Sequence, residues 1–270
     1  MGSRGPDNRA AAVAGASLGG FLLLLAGAQK LPPALPSTAA QALAAQLLLA
    51  GLALTAALGM RAPPGETLGL GPSRLRARET LWLVVSTLGL SHALYTGLEL
   101  AGLKDASSLG ELPKLVGGAS LPALALALVC FALAPSLAEE LLCRGLLQRI
   151  LARRAGAVWA IGISSSTFAA LHLDPVHAMF ALPLGVQLGL AAQLGDSTRT
   201  SALCHGLNNS AAIVLAAFPW LLPPGSPLSA GLGLAIWGAG WTVLWRGLPP
   251  GRLRITRAQG LQPSPEPVDR

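Results

Sequence analysis

The sequence contains few charged residues for its length. Only 11% of its 270 residues are Asp, Glu, Lys or Arg, whereas 52% are hydrophobic. Soluble domains usually contain about 25% charged residues. This shortage of charge argues against a soluble domain and predicts an integral membrane protein that crosses the bilayer several times.

Cysteine is also scarce, and the chain carries no nucleic-acid-binding motif. The cysteines Cys130, Cys143 and Cys204 all lie inside apolar runs, without the spacing of a disulfide framework or a metal site. We therefore expect them to be small packing residues. The net charge of +7 comes from arginines between apolar runs, where they set membrane orientation, so no nucleic-acid partner is expected.

Apolar segments of spanning length recur along the chain and predict an all-α polytopic membrane protein with about eight transmembrane helices. Residues 1–270 are expected to form a single integral membrane domain, with a flexible basic and Pro-rich tail over 247–270. The first segment is either a retained helix or a signal cleaved after Ala28. The predicted spans are 10–29, 38–60, 80–98, 115–150, 155–172, 175–195, 201–217 and 230–245.

The distribution of basic residues supports this count. Eight spans place the larger basic clusters on one side of the membrane: Arg4 with Arg9, the 61–79 loop, 149–154, Arg199 and 246–257. The opposite side receives isolated lysines. Because basic residues mark the cytoplasmic side, both termini are predicted to be cytoplasmic.

Charged residues appear at the end of a long uncharged run. Residues 115–138 contain no charge, and Glu139, Glu140 and Arg144 follow directly. A charge at membrane depth costs about 2.5–3.5 kcal/mol on insertion scales, so such residues usually mark function. The alternative is that the helix ends at Ala138 and the charges form a solvated face, but the apolar pattern continues beyond them.

The spacing within this cluster separates the two carboxylates. Glu140 and Arg144 are four residues apart, so they can pair on one face of a helix. Glu139 points about 100° away from Glu140. This geometry predicts that Glu140 and Arg144 neutralise each other, and that Glu139 is left outside the pair.

Two further pairs of residues have helical spacing, namely Phe168 with His172 and His205 with Asn209. At 1.5 Å per residue, Glu139 and His172 both lie roughly 22–26 Å from the turn between the fourth and fifth spans. Asn209 approaches the same depth from the seventh span. The polar residues of separate spans are therefore expected to form one site.

The residue types favour hydrolysis of a carbonyl compound, with a peptide bond as the favoured substrate. A glutamate such as Glu139 can act as a general base toward water, and His172 can share that water. His205 and Asn209 can donate hydrogen bonds to an oxyanion. No His-Glu-x-x-His or Gly-x-Ser-x-Gly motif supports a zinc or serine mechanism. A transporter is disfavoured because the halves of the chain are not repeated.

These motifs resemble those of the CPBP family of intramembrane endopeptidases, which includes CAAX prenyl proteases and bacteriocin-processing proteins and is also called Abi. The family pattern is Glu-Glu-x-x-x-Arg, then Phe-x-x-x-His, then His-x-x-x-Asn/Asp, on separate transmembrane helices. The sequence has these motifs in order at Glu139–Arg144, Phe168–His172 and His205–Asn209. The resemblance covers residues 115–215, which we take as the catalytic core helices.

The resemblance implies a catalytic role for four residues. Glu139 is expected to be the general base and His172 to help activate water, while His205 and Asn209 form the oxyanion site. A glutamate-type mechanism without a cofactor is implied, with a zinc-dependent protease as the less favoured variant. A non-catalytic immunity or scaffold protein on the same fold remains the alternative function.

The resemblance also implies supporting residues and partners. Glu140, Arg144 and Phe168 are expected to hold the arrangement, and Cys143 departs from the aromatic residue that the family often has there. The expected partners are the lipid bilayer and a membrane-anchored protein or peptide precursor. A location in the bacterial inner membrane is expected, with the myxosortases, which cleave C-terminal sorting signals, as one possible branch.

Overall fold

A computed structural model describes residues 38–60, 62–221 and 225–248. Over these residues every regular element is helical, which confirms the predicted all-α class. Short 3-10 turns join some of the helices. The α-helices are α1 (Thr38–Leu58), α2 (Pro64–Thr67), α3 (Ala77–Leu100), α4 (Glu111–Val116), α5 (Leu121–Leu128), α6 (Ala134–Glu140), α7 (Arg149–Ala155), α8 (Ala157–Ala170), α9 (Pro175–Gly195), α10 (Thr198–Ala217) and α11 (Pro227–Gly247).

The polytopic membrane architecture is confirmed. Five helical segments are long and apolar enough to cross a membrane: Thr38–Leu58, Ala77–Leu100, Leu121–Ala155, Pro175–Gly195 and Pro227–Gly247. They match the second, third, fourth, sixth and eighth predicted spans. The fifth is the 14-residue helix α8, and the seventh is the more polar helix α10. The count of eight stays a prediction, because the first span lies outside the described residues. Both termini, on which the predicted orientation rests, and residues 249–270 of the predicted tail also lie outside the described residues.

One long helical run carries the acidic pair. Leu121–Ala155 is continuous, but it contains two wider π-helical stretches, Val129–Leu133 and Leu141–Gln148. The α6 segment lies between them, and Glu139 and Glu140 are its last residues. π-Helical widenings are frequent at functional sites. The backbone around the acidic pair is therefore irregular on both sides.

Glycines allow α3 and α11 to pack closely. A Cβ atom added at Gly89 would lie 2.7 Å from the carbonyl oxygen of Gly233, and the reverse substitution gives the same distance. Small residues permit such close approach of membrane helices. The indole N–H groups of Trp237 and Trp241 both donate to Oε1 of Gln187 on α9, at 3.3 and 3.0 Å. Helix α11 is thereby joined to both α3 and α9.

Asp174 connects the start of α9 to the loop between α3 and α4. Its Oδ1 accepts the backbone N–H groups of Val176 and His177 at 2.9 and 3.1 Å, so Asp174 is the N-cap. Its Oδ2 accepts the hydroxyls of Ser107 and Ser108 at 2.8 and 2.9 Å, and the N–H of Ser108 at 2.7 Å. The loop is therefore held against the chain segment that follows His172.

Replacing Asp174 with alanine is expected to lower thermal stability in a pH-dependent way. Burial raises the pKa of Asp174, but the hydrogen bonds from Ser108, His177 and Ser107 outweigh burial and hold the pKa below its usual range. Such a carboxylate stabilises the fold above its unfolded pKa of about 3.9, and the contribution is lost as the pH falls through the lower folded pKa. Loss of an N-cap costs about 1 kcal/mol, which lowers the melting temperature by about 2–4 °C in a chain of this size.

The measurement is thermal unfolding in detergent at pH 7 and at pH 3. The difference between wild type and Asp174→Ala should narrow at the lower pH. Asp105→Ala, which removes an exposed carboxylate from the same loop, is the matched control. Equal melting temperatures for the two variants at pH 7 would contradict the role of Asp174.

Candidate active site

The structure brings the first and third motifs together in a buried polar cluster. Glu139 and Glu140 end α6, Arg144 lies in the π-helical stretch that follows, and His205 lies on α10. Their exposed fractions are 9% for Glu139, 0% for Glu140, 1% for Arg144 and 5% for His205. Charged side chains are rarely buried so fully unless they are paired.

Glu140 is the centre of the paired part of this cluster. Its Oε1 accepts a hydrogen bond from Nη1 of Arg144 at 2.8 Å and another from Nδ1 of His205 at 3.1 Å. Arg144 also donates from Nη2 to the carbonyl of Gly185 at 2.8 Å, and its guanidinium lies 4.5 Å from the ring centre of Phe168. The predicted pairing of Glu140 with Arg144 is thus present.

Glu139 lies outside that ion pair, as its spacing predicts, and faces the other nitrogen of the same histidine. Its Oε1 accepts a hydrogen bond from Nε2 of Gln46 on α1 at 3.1 Å. Its Oε2 lies 4.0 Å from Nε2 of His205. His205 therefore stands between two carboxylates, with Nδ1 toward Glu140 and Nε2 toward Glu139.

Asn209 completes the hydrogen bonds of His205. Its Nδ2 lies 3.1 Å from Nε2 of His205 and 3.5 Å from the carbonyl oxygen of Phe131, while its Oδ1 accepts from Asn208 at 3.3 Å. Since the amide nitrogen donates, Nε2 of His205 accepts, and the ring carries its proton on Nδ1. Pro135 lacks the N–H that would bind the Phe131 carbonyl in a helix. The carbonyl freed by this proline is thus used by the candidate site.

His172 lies next to this cluster but does not join its hydrogen bonds. Its Nδ1 lies 3.0 Å from the carbonyl oxygen of Phe168, to which it donates. The Phe168 ring makes edge contacts with the rings of both His172 and His205, at 5.2 and 5.4 Å between centres. In the described part of the chain no hydrogen bond joins His172 to Glu139. The predicted second motif therefore meets the other two through the Phe168 ring.

The arrangement does not fit a zinc site. Among the described residues, no group of three or more His, Cys, Asp or Glu side chains is placed to hold a metal ion. Independence from metals stays a prediction. Cys130, Cys143 and Cys204 are buried free thiols, and Cys143 and Cys204 lie in a hydrophobic cluster.

Two side chains near the site were not predicted from the sequence. Gln46 binds Glu139 from a position 93 residues earlier in the chain. The His177 ring lies 4.1 Å from the His172 ring, centre to centre, and its Nδ1 lies 2.9 Å from the hydroxyl of Ser108. The available signal for Gln46 was an amide side chain in a predicted membrane span, a feature that Gln41 shares.

One family of known proteins matches part of the chain. Residues 121–211 match the family described as Type II CAAX prenyl endopeptidase Rce1-like. This stretch contains Glu139, Phe168, His172, His205 and Asn209. No curated protein and no solved structure matches the chain.

Proposed function

Residues 121–211 belong to the CPBP family of CAAX-type membrane proteases, and from this premise we propose a specific reaction and site. The protein hydrolyses a peptide bond within a membrane-anchored protein or peptide precursor, using water activated by Glu139. One observation carries the proposal: a buried carboxylate lies outside the ion pair of its neighbour and next to a histidine, whose ring nitrogen also contacts the amide of Asn209.

Glu139 acts as the general base in this proposal. Its carboxylate takes a proton from water while the water oxygen attacks the carbonyl carbon of the scissile bond. The carbon–nitrogen bond then breaks, and the leaving amine takes the proton from Glu139. The products are a new carboxyl end and a new amino end, and Glu139 returns to its starting state.

Asn209 and His205 stabilise the oxyanion in different ways. Nε2 of His205 accepts one N–H group of Asn209 in the resting arrangement, so it can donate only after it takes up a second proton from solvent. That protonation also releases the N–H group of Asn209, which can then donate to the oxygen that becomes negative. Glu140 then faces an imidazolium, and the charge-assisted bond at Nδ1 becomes stronger.

His172 is the second residue that contacts the attacking water. Because its Nδ1 donates to the carbonyl of Phe168, Nε2 of the neutral ring is the nitrogen that is able to accept a hydrogen bond from water. The aromatic contacts of Phe168 with both histidine rings keep the two rings at a fixed separation.

The proposed setting is the bacterial inner membrane, with both termini in the cytoplasm. The substrate class is a membrane-anchored precursor. A prenylated CAAX tail is the first probe because of the family description, and a myxosortase-type sorting signal is the second. The test is cleavage of fluorogenic versions of both peptides by the full chain in liposomes. Failure to cut either probe, or any endogenous membrane-anchored protein, would contradict the proposal.

Removal of metal is expected to leave this activity unchanged, because the described residues provide no three-ligand cluster and the proposed steps use side chains alone. The measurement is the rate of probe cleavage after dialysis against a zinc chelator, beside an untreated sample. Loss of activity that added zinc restores would establish the zinc-dependent variant instead.

A further inference from the structure

We propose that Gln46 is a further residue of the reacting site. Its amide N–H group orients Glu139, and its amide oxygen accepts a hydrogen bond from a donor that the reaction supplies. That donor is either the attacking water or a backbone N–H group of the bound peptide. The inference rests on the proposed protease function, and Gln46 lies outside the stretch that matches the family.

The contact between Gln46 and Glu139 is supported by helix packing. One face of α1 packs against the helical run that carries Glu139, and Leu49 and Ala53 lie in the same buried cluster as Ala138. Leu49 is one turn from Gln46, and Ala138 directly precedes Glu139. The hydrogen bond of 3.1 Å is therefore made by side chains whose backbones are fixed by packing.

The chemistry of the two groups fixes the direction of the amide. A carboxylate only accepts hydrogen bonds, so the nitrogen of Gln46 must face Glu139 and the amide oxygen must face away. Within the described residues that oxygen is buried and has no hydrogen-bond partner. Most buried polar groups in proteins are paired, and an unpaired one is destabilising.

The unpaired oxygen lies on the same side chain that binds the proposed general base. If Gln46 served only packing, leucine would fill a similar volume without burying an unpaired oxygen. Water that attacks a carbonyl near Glu139, and a peptide bond held for that attack, both supply a hydrogen-bond donor. Either donor would satisfy the oxygen when substrate is bound.

The first test compares Gln46→Leu with Gln41→Leu, which makes the same chemical change at an exposed position of α1. With the prenylated probe, kcat/KM of Gln46→Leu is expected to fall about 10- to 100-fold, as for the loss of a hydrogen bond to a charged group. Gln41→Leu should keep the wild-type rate. Thermal unfolding of both variants is measured in parallel, since a misfolded variant loses activity for another reason.

The second test distinguishes the two donors. It measures binding of the prenylated probe to Glu139→Gln, a variant that is expected to leave the probe uncleaved. Adding Gln46→Leu to that variant weakens binding about 5- to 10-fold if the oxygen accepts a peptide N–H group. If the donor is the attacking water, adding Gln46→Leu leaves binding unchanged, and Gln46→Leu in the otherwise wild-type protein lowers only kcat. Either result supports the proposal.

Three results would overturn it, and they are distinguishable. Cleavage by Gln46→Leu at the rate of Gln41→Leu would exclude a role for Gln46 and leave the proposed function standing. A parallel loss of activity and of melting temperature, reproduced by Gln46→Met, would reduce Gln46 to a packing residue. Absence of cleavage by the wild type would remove the proposed function and this inference together.

Discussion

Replacing Glu139 with glutamine is expected to abolish peptide-bond hydrolysis while the fold is retained. The amide has nearly the same size, and its oxygen can still accept the hydrogen bond that Gln46 donates to Glu139. It cannot take a proton from water. General base catalysis contributes about 10²- to 10⁴-fold to rates, so cleavage of the prenylated probe should fall at least about 100-fold.

The matched control is Glu111→Gln, which changes an exposed carboxylate of α4 that pairs with Lys114. This variant should cleave at the wild-type rate, and all three proteins should unfold at similar temperatures. A Glu139→Gln protein that keeps more than a tenth of the wild-type activity would contradict the role of Glu139 as the base.

Replacing Glu140 with alanine is expected to destabilise the whole protein. Arg144 would remain 1% exposed without its carboxylate partner, although the carbonyl of Gly185 still accepts one of its hydrogen bonds. Removing one partner of a buried ion pair costs about 3–5 kcal/mol. Thermal unfolding in detergent should show a large loss for Glu140→Ala. Glu111→Ala, which breaks an exposed pair, should change stability by less than about 1 kcal/mol.

A double variant separates stability from activity. Glu140→Leu combined with Arg144→Met replaces both charges with apolar side chains, and such replacements are often neutral or stabilising. The double variant should regain most of the stability that Glu140→Ala loses. It should stay inactive, because His205 loses the acceptor that holds the proton on its Nδ1. Equal unfolding temperatures for Glu140→Ala and Glu111→Ala would contradict this account.

Local spacing predicted part of the candidate site. Residues four apart share a helix face, so the pairing of Glu140 with Arg144 follows from the sequence and is present in the structure. Pro135 leaves the carbonyl of Phe131 without its helical donor, because the proline ring removes a backbone N–H group. The partner of that carbonyl, Asn209, lies on another helix, and no local rule connects the two.

Contacts between distant helices could not be predicted. Two glutamines, Gln41 and Gln46, lie in the second predicted span. Hydropathy does not show which face of α1 meets the site, and so it does not show which glutamine reaches it. The sequence gives the level of His172 along the membrane normal, but it does not give the direction in which the His172 side chain points. The structure places the Phe168 ring between the rings of His172 and His205.

The polar residues of the candidate site keep helix α10 from counting among the helices that are apolar enough to cross a membrane. Helix α10 is as long as a typical span, with 20 residues. It is less apolar than the other long helices because it carries His205, Asn208 and Asn209, the residues that build the candidate site. Polar functional residues thus weaken the hydropathy signal of the helix that holds them.

The most direct test of the central claim compares cells that carry the wild-type protein with cells that carry Glu139→Gln at equal membrane abundance. Mass spectrometry would map the terminal peptides of all membrane-associated and surface proteins. The proposed function predicts a defined set of proteins that keep uncleaved ends in the variant alone, and this set identifies the substrates. If no termini differ while Glu139→Gln still rescues the phenotype of a deletion strain, catalysis by Glu139 is contradicted.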